Sequence, residues 1–131
     1  MAQKYIKGDI VMYDNKIHTI IDKLELNNYE LSYIEHPVHQ LELSGVLLTP
    51  EILEKNGWKL LKHHERNSYD DVSWSSYHKP AETNISLIFY PEEEAFFLFL
   101  YAQEISETPI RYIHQLQHIL FGLGLNHEME V

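Results

Sequence analysis

The stretch ISLIFYPEEEAFFLFLYA, residues 85–102, carries the strongest strand pattern of the sequence. Two apolar runs, Ile85 to Tyr90 and Ala95 to Ala102, flank an acidic loop at Pro91 to Glu94, the pattern of a β-hairpin. The second run, AFFLFLYA, has no polar alternation, which predicts a central strand covered on both faces. A cover is offered downstream. Thr108 and Pro109 start a predicted helix running to about Leu123, with Ile110, Ile113, Leu116, Leu120 and Phe121 at helical spacing and Gly122 or Gly124 as its stop.

Working back from the hairpin, Tyr69 to Lys79 is a polar, aromatic stretch, preceded by a turn near Arg66-Asn67-Ser68 and a strand from Trp58 to His64. Before that stands LLTPEILEKNGWK. Thr49 caps the exposed amides, Pro50 fits the first helical position, Leu48 staples onto Leu53 and Gly57 closes the end, so a helix of about two turns is expected here. So short a helix does not persist alone and must be held by Ile52, Leu53 and Trp58 packing on a sheet.

The opening reads as antiparallel strands at Asp9–Tyr13, Lys16–Leu24 and Tyr29–Ile34, with turns at Asp14-Asn15 and Asn27-Asn28. Pro37 interrupts the pattern, after which Leu41, Leu43 and Leu47 suggest one more short strand. The lead-in KGDIV, Lys7 to Val11, resembles the opening of small Src-homology-type barrels. The expected fold class is therefore α+β, mainly antiparallel. It comprises a barrel-like N-terminal part, a helix, a C-terminal antiparallel sheet and a late amphipathic helix, in one domain over 1–131 that any subdivision would divide near 37–47.

Composition narrows the function classes. A hydrophobic fraction of 44% with 12% aromatics suits a folded core despite the net charge of -10. The chain has no cysteine, which removes disulfides, thiolate metal ligands and thiol nucleophiles together. From Pro80 to Val131 the acids are Glu82, Glu92, Glu93, Glu94, Glu104, Glu107, Glu128 and Glu130, against Arg111 as the one base, so a generic nucleic-acid partner is disfavoured. Met1 to Tyr13 holds no signal-peptide core and the longest apolar run, Ala95 to Ala102, is too short to span a bilayer; a cytoplasmic protein without a membrane partner is expected.

Nine histidines invite a metal, and His114 with His118 is the best pair, because residues four apart on a helix share a face. The motif HQLQH puts Gln115 where a metalloprotease needs its glutamate base. With Arg111 and Gln115 these histidines also form the polar face opposite the apolar stripe, so a solvated surface explains them without a metal. His63 and His64 are adjacent in a strand and point to opposite faces, while His36 and His39 flank Pro37 in a loop. Glycines are too scattered for a phosphate-cradling loop, no G-x-S-x-G elbow occurs, and Glu92 to Glu94 read as a solvated turn. No cofactor is expected.

The stretch from Tyr69 to His78 pairs aromatics with small hydroxyls, a composition suited to recognition surfaces. Alternation sets Trp74 inward with Val72 and Ser76, and puts Tyr69, Asp71, Ser73, Ser75 and Tyr77 on the other face. Tyr69, Trp74, Tyr77 and Arg111 are the candidate ligand- or partner-binding residues, and the wealth of aromatics in so short a chain points to self-association, most simply as a dimer.

The segments LTPEILEKNGW, Leu48 to Trp58, and YIHQLQHILFGL, Tyr112 to Leu123, together with the lead-in Lys7 to Tyr13, resemble a family of small uncharacterised proteins from Bacteroidota genomes and their phages. The resemblance implies a bacterial or phage-infected cytoplasm and an accessory gene; it carries no catalytic residues across. The expected function is a non-enzymatic accessory or regulatory binding protein acting through protein–protein contact. Two alternatives stay open. One is a phage anti-defence protein sequestering a nucleotide-like ligand, with Tyr69, Trp74 and Tyr77 stacking on a base and Arg111, Lys59 or Lys62 on phosphate. The other is a metal-dependent hydrolase using His114 and His118 with His63, His64 or a carboxylate as third ligand.

Overall fold

The computed structural model describes residues 4–80, 82–106 and 108–131; Glu107, one of the eight acids counted above, and residues 1–3 of the stretch Met1 to Tyr13 lie outside these. Its strands and helices in chain order are β1 (Ile10–Tyr13), β2 (Lys16–Lys23), β3 (Asn28–Leu31), β4 (Val38–His39), β5 (Ser44–Gly45), α1 (Pro50–Lys55), β6 (Lys59–His64), β7 (Trp74–Lys79), β8 (Glu82–Tyr90), β9 (Ala95–Leu100), β10 (Gln103–Glu104) and α2 (Ile113–Gly122). The fold is α+β, with a curled N-terminal antiparallel sheet, a short helix, a C-terminal antiparallel sheet and a C-terminal helix. Residues group into two compact units, the first running up to Leu47 and taking in Tyr112–Met129, the second comprising Leu48–Arg111 and Glu130–Val131. No helix among the described residues is long and apolar enough to cross a membrane.

In the first unit the strands lie in the order β4-β3-β2-β1-β5, all antiparallel. Asp14 and Asn15 both take positive φ, 49° and 62°, which closes β1 onto β2 with the two-residue turn those side chains favour. Leu26 and Asn27 do the same between β2 and β3, inside a 3-10 turn at Glu25–Asn27, so the turn comes one residue earlier than the expected Asn27-Asn28. A bulge between Ile20 and Asp22 bends β2, and β5 returns to pair with the free side of β1, curling the sheet into a half-barrel. The inside is filled by Tyr5, Val11, Ile20, Tyr29, Leu31 and Val38. Full burial of an aliphatic or aromatic side chain of this size contributes roughly 1.5–3 kcal/mol, so this cluster holds the short strands in place.

Helix α2 belongs to this unit and not, as its position after the hairpin suggested, with the strand Ala95 to Ala102. It also starts later than Pro109, because Ile110 is drawn into an extended bridge with Phe96, two hydrogen bonds of 2.8 Å. Of its expected apolar stripe, Ile113, Leu116 and Leu120 are buried in the helix, whereas Ile110 lies ahead of it and Phe121 is exposed. Its tie to the sheet is polar: Gln117, wholly buried, accepts from Ile10 N–H (2.9 Å) and donates to the Gly8 carbonyl (2.8 Å).

In the second unit α1 starts at the expected cap, Thr49 Oγ1 accepting from Ile52 N–H at 3.2 Å, and ends before Gly57 at φ 89°. The sheet is a plain meander, β10-β9-β8-β7-β6. After β10 the chain runs back along β9, Ile105 N–H bonding the Leu98 carbonyl at 2.9 Å before the Ile110 bridge. One face of the sheet carries Tyr77, Ile85, Leu87, Phe96 and Leu98, all buried. Helix α1 serves that face: burial, and then the nearby carboxylates of Glu54 and Glu51, push the Tyr77 phenol above its ordinary pKa. The other face carries Ile88, Tyr90, Phe97 and Phe99, which stay half-buried, so β9 is not covered on both sides as its unbroken apolar run predicted.

The register of the aromatic stretch is the reverse of the expected one. The strand begins only at Trp74, and Ser75 and Tyr77 point into the core while Trp74 and Ser76 lie on the half-exposed face. Period-two alternation gave two equivalent assignments, and the bulkier indole was the wrong guide to which face is inward.

Candidate functional site

Between β2, β3 and the loop that follows lies an open groove of about 970 Å3, lined over residues 21–37. Ile21, Leu24, Leu31, Ile34 and Pro37 give it an apolar wall, while Glu30, Glu35 and Tyr33 stand along it. The segment that builds it is acidic, with Asp22, Glu25, Glu30 and Glu35 against Lys23. The loop turns at Leu31–Ile34, where Ile34 N–H reaches the Leu31 carbonyl at 3.4 Å. A return of this kind with a left-handed residue at its third position normally places Gly or Asn there. Here it is Tyr33, at φ 63° and 98% exposed. An aromatic ring is thus held out beside an apolar groove at the cost of roughly 1–2 kcal/mol of backbone strain. Ser32 anchors the strand below it: its carbonyl bonds His18 Nδ1 (2.8 Å) and its Oγ accepts from Thr19 N–H (3.0 Å).

The helical histidine pair is not the solvated face the stripe implied. His114 is 7% exposed, packed edge-on to Tyr5 (5.1 Å between ring centres) and stacked on Tyr112 (5.9 Å). Gly45 permits that packing, since a Cβ there would sit 2.7 Å from the Tyr112 ring. Burial lowers the His114 pKa to about 4; Asp9 works against this, and His118 and Lys4 add to it. His118 faces the same side, 5.7 Å from His114, and its Nε2 bonds the wholly buried Asp9 carboxylate at 2.6 Å. Asp9 is itself fixed by Ile6 N–H at 2.9 Å. The reason these polar groups can lie inside is therefore an Asp–His pair brought from the lead-in, 109 residues away in sequence, which helical spacing alone does not reveal. Among the described residues no three His, Asp or Glu side chains gather as metal ligands.

In the second unit His63 and His64 point to opposite faces, as adjacent strand residues do. His63 Nδ1 meets Ser75 Oγ at 2.7 Å and its Nε2 meets Glu65 at 2.5 Å, a Ser–His–Glu chain in outline. Ser75 is buried beneath this cross-strand pair and the Glu65 carboxylate lies in water, so the hydroxyl of this Ser–His–Glu arrangement is closed to a substrate. The residues singled out for binding do not converge. Tyr69 is 99% exposed in the loop before β7, Tyr77 is in the core, and Arg111 lies exposed just ahead of α2. Trp74 already stacks on His64 (5.5 Å) and lies under Lys62 (5.7 Å).

The groove residues were not legible as a site. Tyr33 and Glu35 continue the alternation of Tyr29 and Leu31 in β3, and only the left-handed turn at Tyr33 takes them out of the strand; the one sequence signal is an aromatic and two acids crowded before Pro37. The chain matches no family model, no curated protein and no solved structure.

Proposed function

We propose that the chain is a non-enzymatic accessory binding protein that captures an extended segment of a partner protein, bearing Lys or Arg next to apolar side chains, in the groove of its first unit. The observation that carries this reading is Tyr33, a ring held fully in water by a strained turn at the mouth of an apolar groove. Such strain at an exposed aromatic has no role in packing, and it suits a ring that closes over a ligand. The acids along the groove favour a cationic partner, and the apolar wall favours one whose basic residues alternate with Leu, Val or aromatic side chains.

The test is selection of a displayed random-peptide library on the full chain, repeated with Tyr33→Gly and with Glu30→Lys/Glu35→Lys. Wild type should enrich peptides mixing basic and apolar residues. Tyr33→Gly should lose them while folding with stability unchanged or raised by up to about 1 kcal/mol, because glycine adopts positive φ freely but gives up more entropy. A selection that enriches nothing over the two variants, or peptides that bind all three proteins alike, would sink the reading.

A further inference from the structure

The half-exposed face of the second sheet has an order that the pairing register makes visible. Residues opposite one another on neighbouring strands share a face. One row therefore runs across all five strands as Lys59, His78, Ser86, Phe99 and Glu104. The row beside it runs Lys62, Ser76, Ile88, Phe97. Base stands at the β6 edge and acid at the β10 edge, and between them small polar side chains and His78 on β7 and β8 face Ile88, Phe97 and Phe99. The ring contacts agree with this assignment: His64 and Lys62 lie against Trp74 on the same face, and Tyr90 meets Phe97 at 5.6 Å. Glu104 is close enough to Tyr90 that, after burial, it is the main reason the Tyr90 phenol titrates above its ordinary value.

Such a row is complementary to itself under one rotation. A two-fold axis lying between two stacked sheets, parallel to the strands and over β8, reverses the row end for end. It sets Lys59 of one copy above Glu104 of the other, His78 above Phe99, and the small Ser86 above its own mate. An axis across the strands would instead set Lys59 on Lys59 and Glu104 on Glu104. Face-to-face sheets pack about 10 Å apart, a gap that opposed apolar side chains fill and that a Lys–Glu pair at the rim spans.

We infer that this face is a homodimer interface, two copies of the sheet stacking about a two-fold axis parallel to their strands with the β6 edge of each over the β10 edge of the other. Isologous pairing of this kind is the commonest route to a closed dimer. It leaves the groove of the first unit out of account and stands or falls separately from it.

Sedimentation equilibrium of the full chain at micromolar concentration in about 0.1 M salt should give a dimer. Phe97→Ser/Phe99→Ser, a change on the half-exposed face, should weaken association by about thirtyfold or more while a cooperative thermal transition is kept. Lys59→Glu and Glu104→Lys, each alone, should also associate poorly. Mixing those two single variants should restore a dimer, because each then meets the opposite charge of the other. The two positions are four strand spacings, about 19 Å, apart within one copy, so the rescue cannot arise inside a chain. A wild type that stays monomeric, a dimer indifferent to the Phe variants, or single charge variants that the mixture fails to rescue would overturn the inference.

Discussion

Gln117 divides its amide among three segments: Oε1 takes the Ile10 N–H, and Nε2 gives its hydrogens to the carbonyls of Gly8 (2.8 Å) and His127 (3.0 Å). An isosteric hydrocarbon would leave the buried Ile10 N–H, and the part-buried carbonyls of Gly8 and His127, without this partner. Each such loss costs about 1–3 kcal/mol, so Gln117→Leu should destabilise the protein by at least about 2 kcal/mol in urea unfolding, although it makes the helix face more apolar. A variant as stable as wild type would mean that these bonds are replaced by solvent. Its neighbour His114 gives a second measurable consequence. A free histidine titrates near 6.5 and His114 at about 4, chiefly through burial. Between those values the unfolded chain binds a proton that the folded one refuses, so stability is full above pH 6.5 and falls as pH drops towards 4. His114→Phe keeps a flat ring that cannot charge. Its stability should fall less than that of wild type over this interval, by on the order of 1–3 kcal/mol, in denaturant titrations at a series of pH values. Parallel pH profiles for the two proteins would show that another group governs the slope.

At the level of elements, what could be read from the sequence was what short-range chemistry decides. Asp14-Asn15 made a turn because both tolerate positive φ, and Thr49-Pro50 with Gly57 bounded a helix because capping involves only neighbours. The hairpin around Glu92 to Glu94 followed from the same logic. Errors came where a distant partner chose between locally equal options. Pro109 is a good first residue of a helix, yet Ile110 pairs with Phe96 across the sheet and delays α2 to Ile113. Trp74 and Tyr77 are equally fit to face inward, and the register with β8, Tyr77 opposite Leu87, decided for Tyr77. The groove is the extreme case. It depends on β2 and β3 pairing past the bulge at Ile20 and on a left-handed tyrosine, neither of which has a periodic signature. The apolar run of β9 did carry information, but of a different kind: it signalled that both faces of the strand are apolar, not that the chain itself covers both.

For the molecule as a whole, the path of the chain matters more than its length. The first unit is discontinuous, and the chain leaves it at Leu47 and returns at Tyr112. Those two residues are antiparallel bridge partners, with Ile113 N–H on the Val46 carbonyl at 2.8 Å beside them. The second unit is thus an insertion whose two ends leave from neighbouring points, the arrangement in which a whole segment can be exchanged for a turn. The hydrogen bonds of Gln117 on Ile10 and Gly8 and of His118 on Asp9, which fix α2 to the half-barrel, lie within the first unit. Replacing residues 48–111 by Asn-Gly, the two-residue loop that best joins antiparallel partners, should therefore give a chain that still folds. It should show dispersed amide resonances and a cooperative thermal transition, at lower stability than the parent because a domain of this size buries a smaller fraction of its surface. The same deletion with residues 112–131 also removed should not fold, since the half-barrel then loses Leu116, Gln117 and Leu120 from its open side. A collapsed, non-cooperative product from the first deletion would show that the half-barrel and α2 need the inserted unit to form, and that the division at Leu47 and Tyr112 is one of contacts and not of folding.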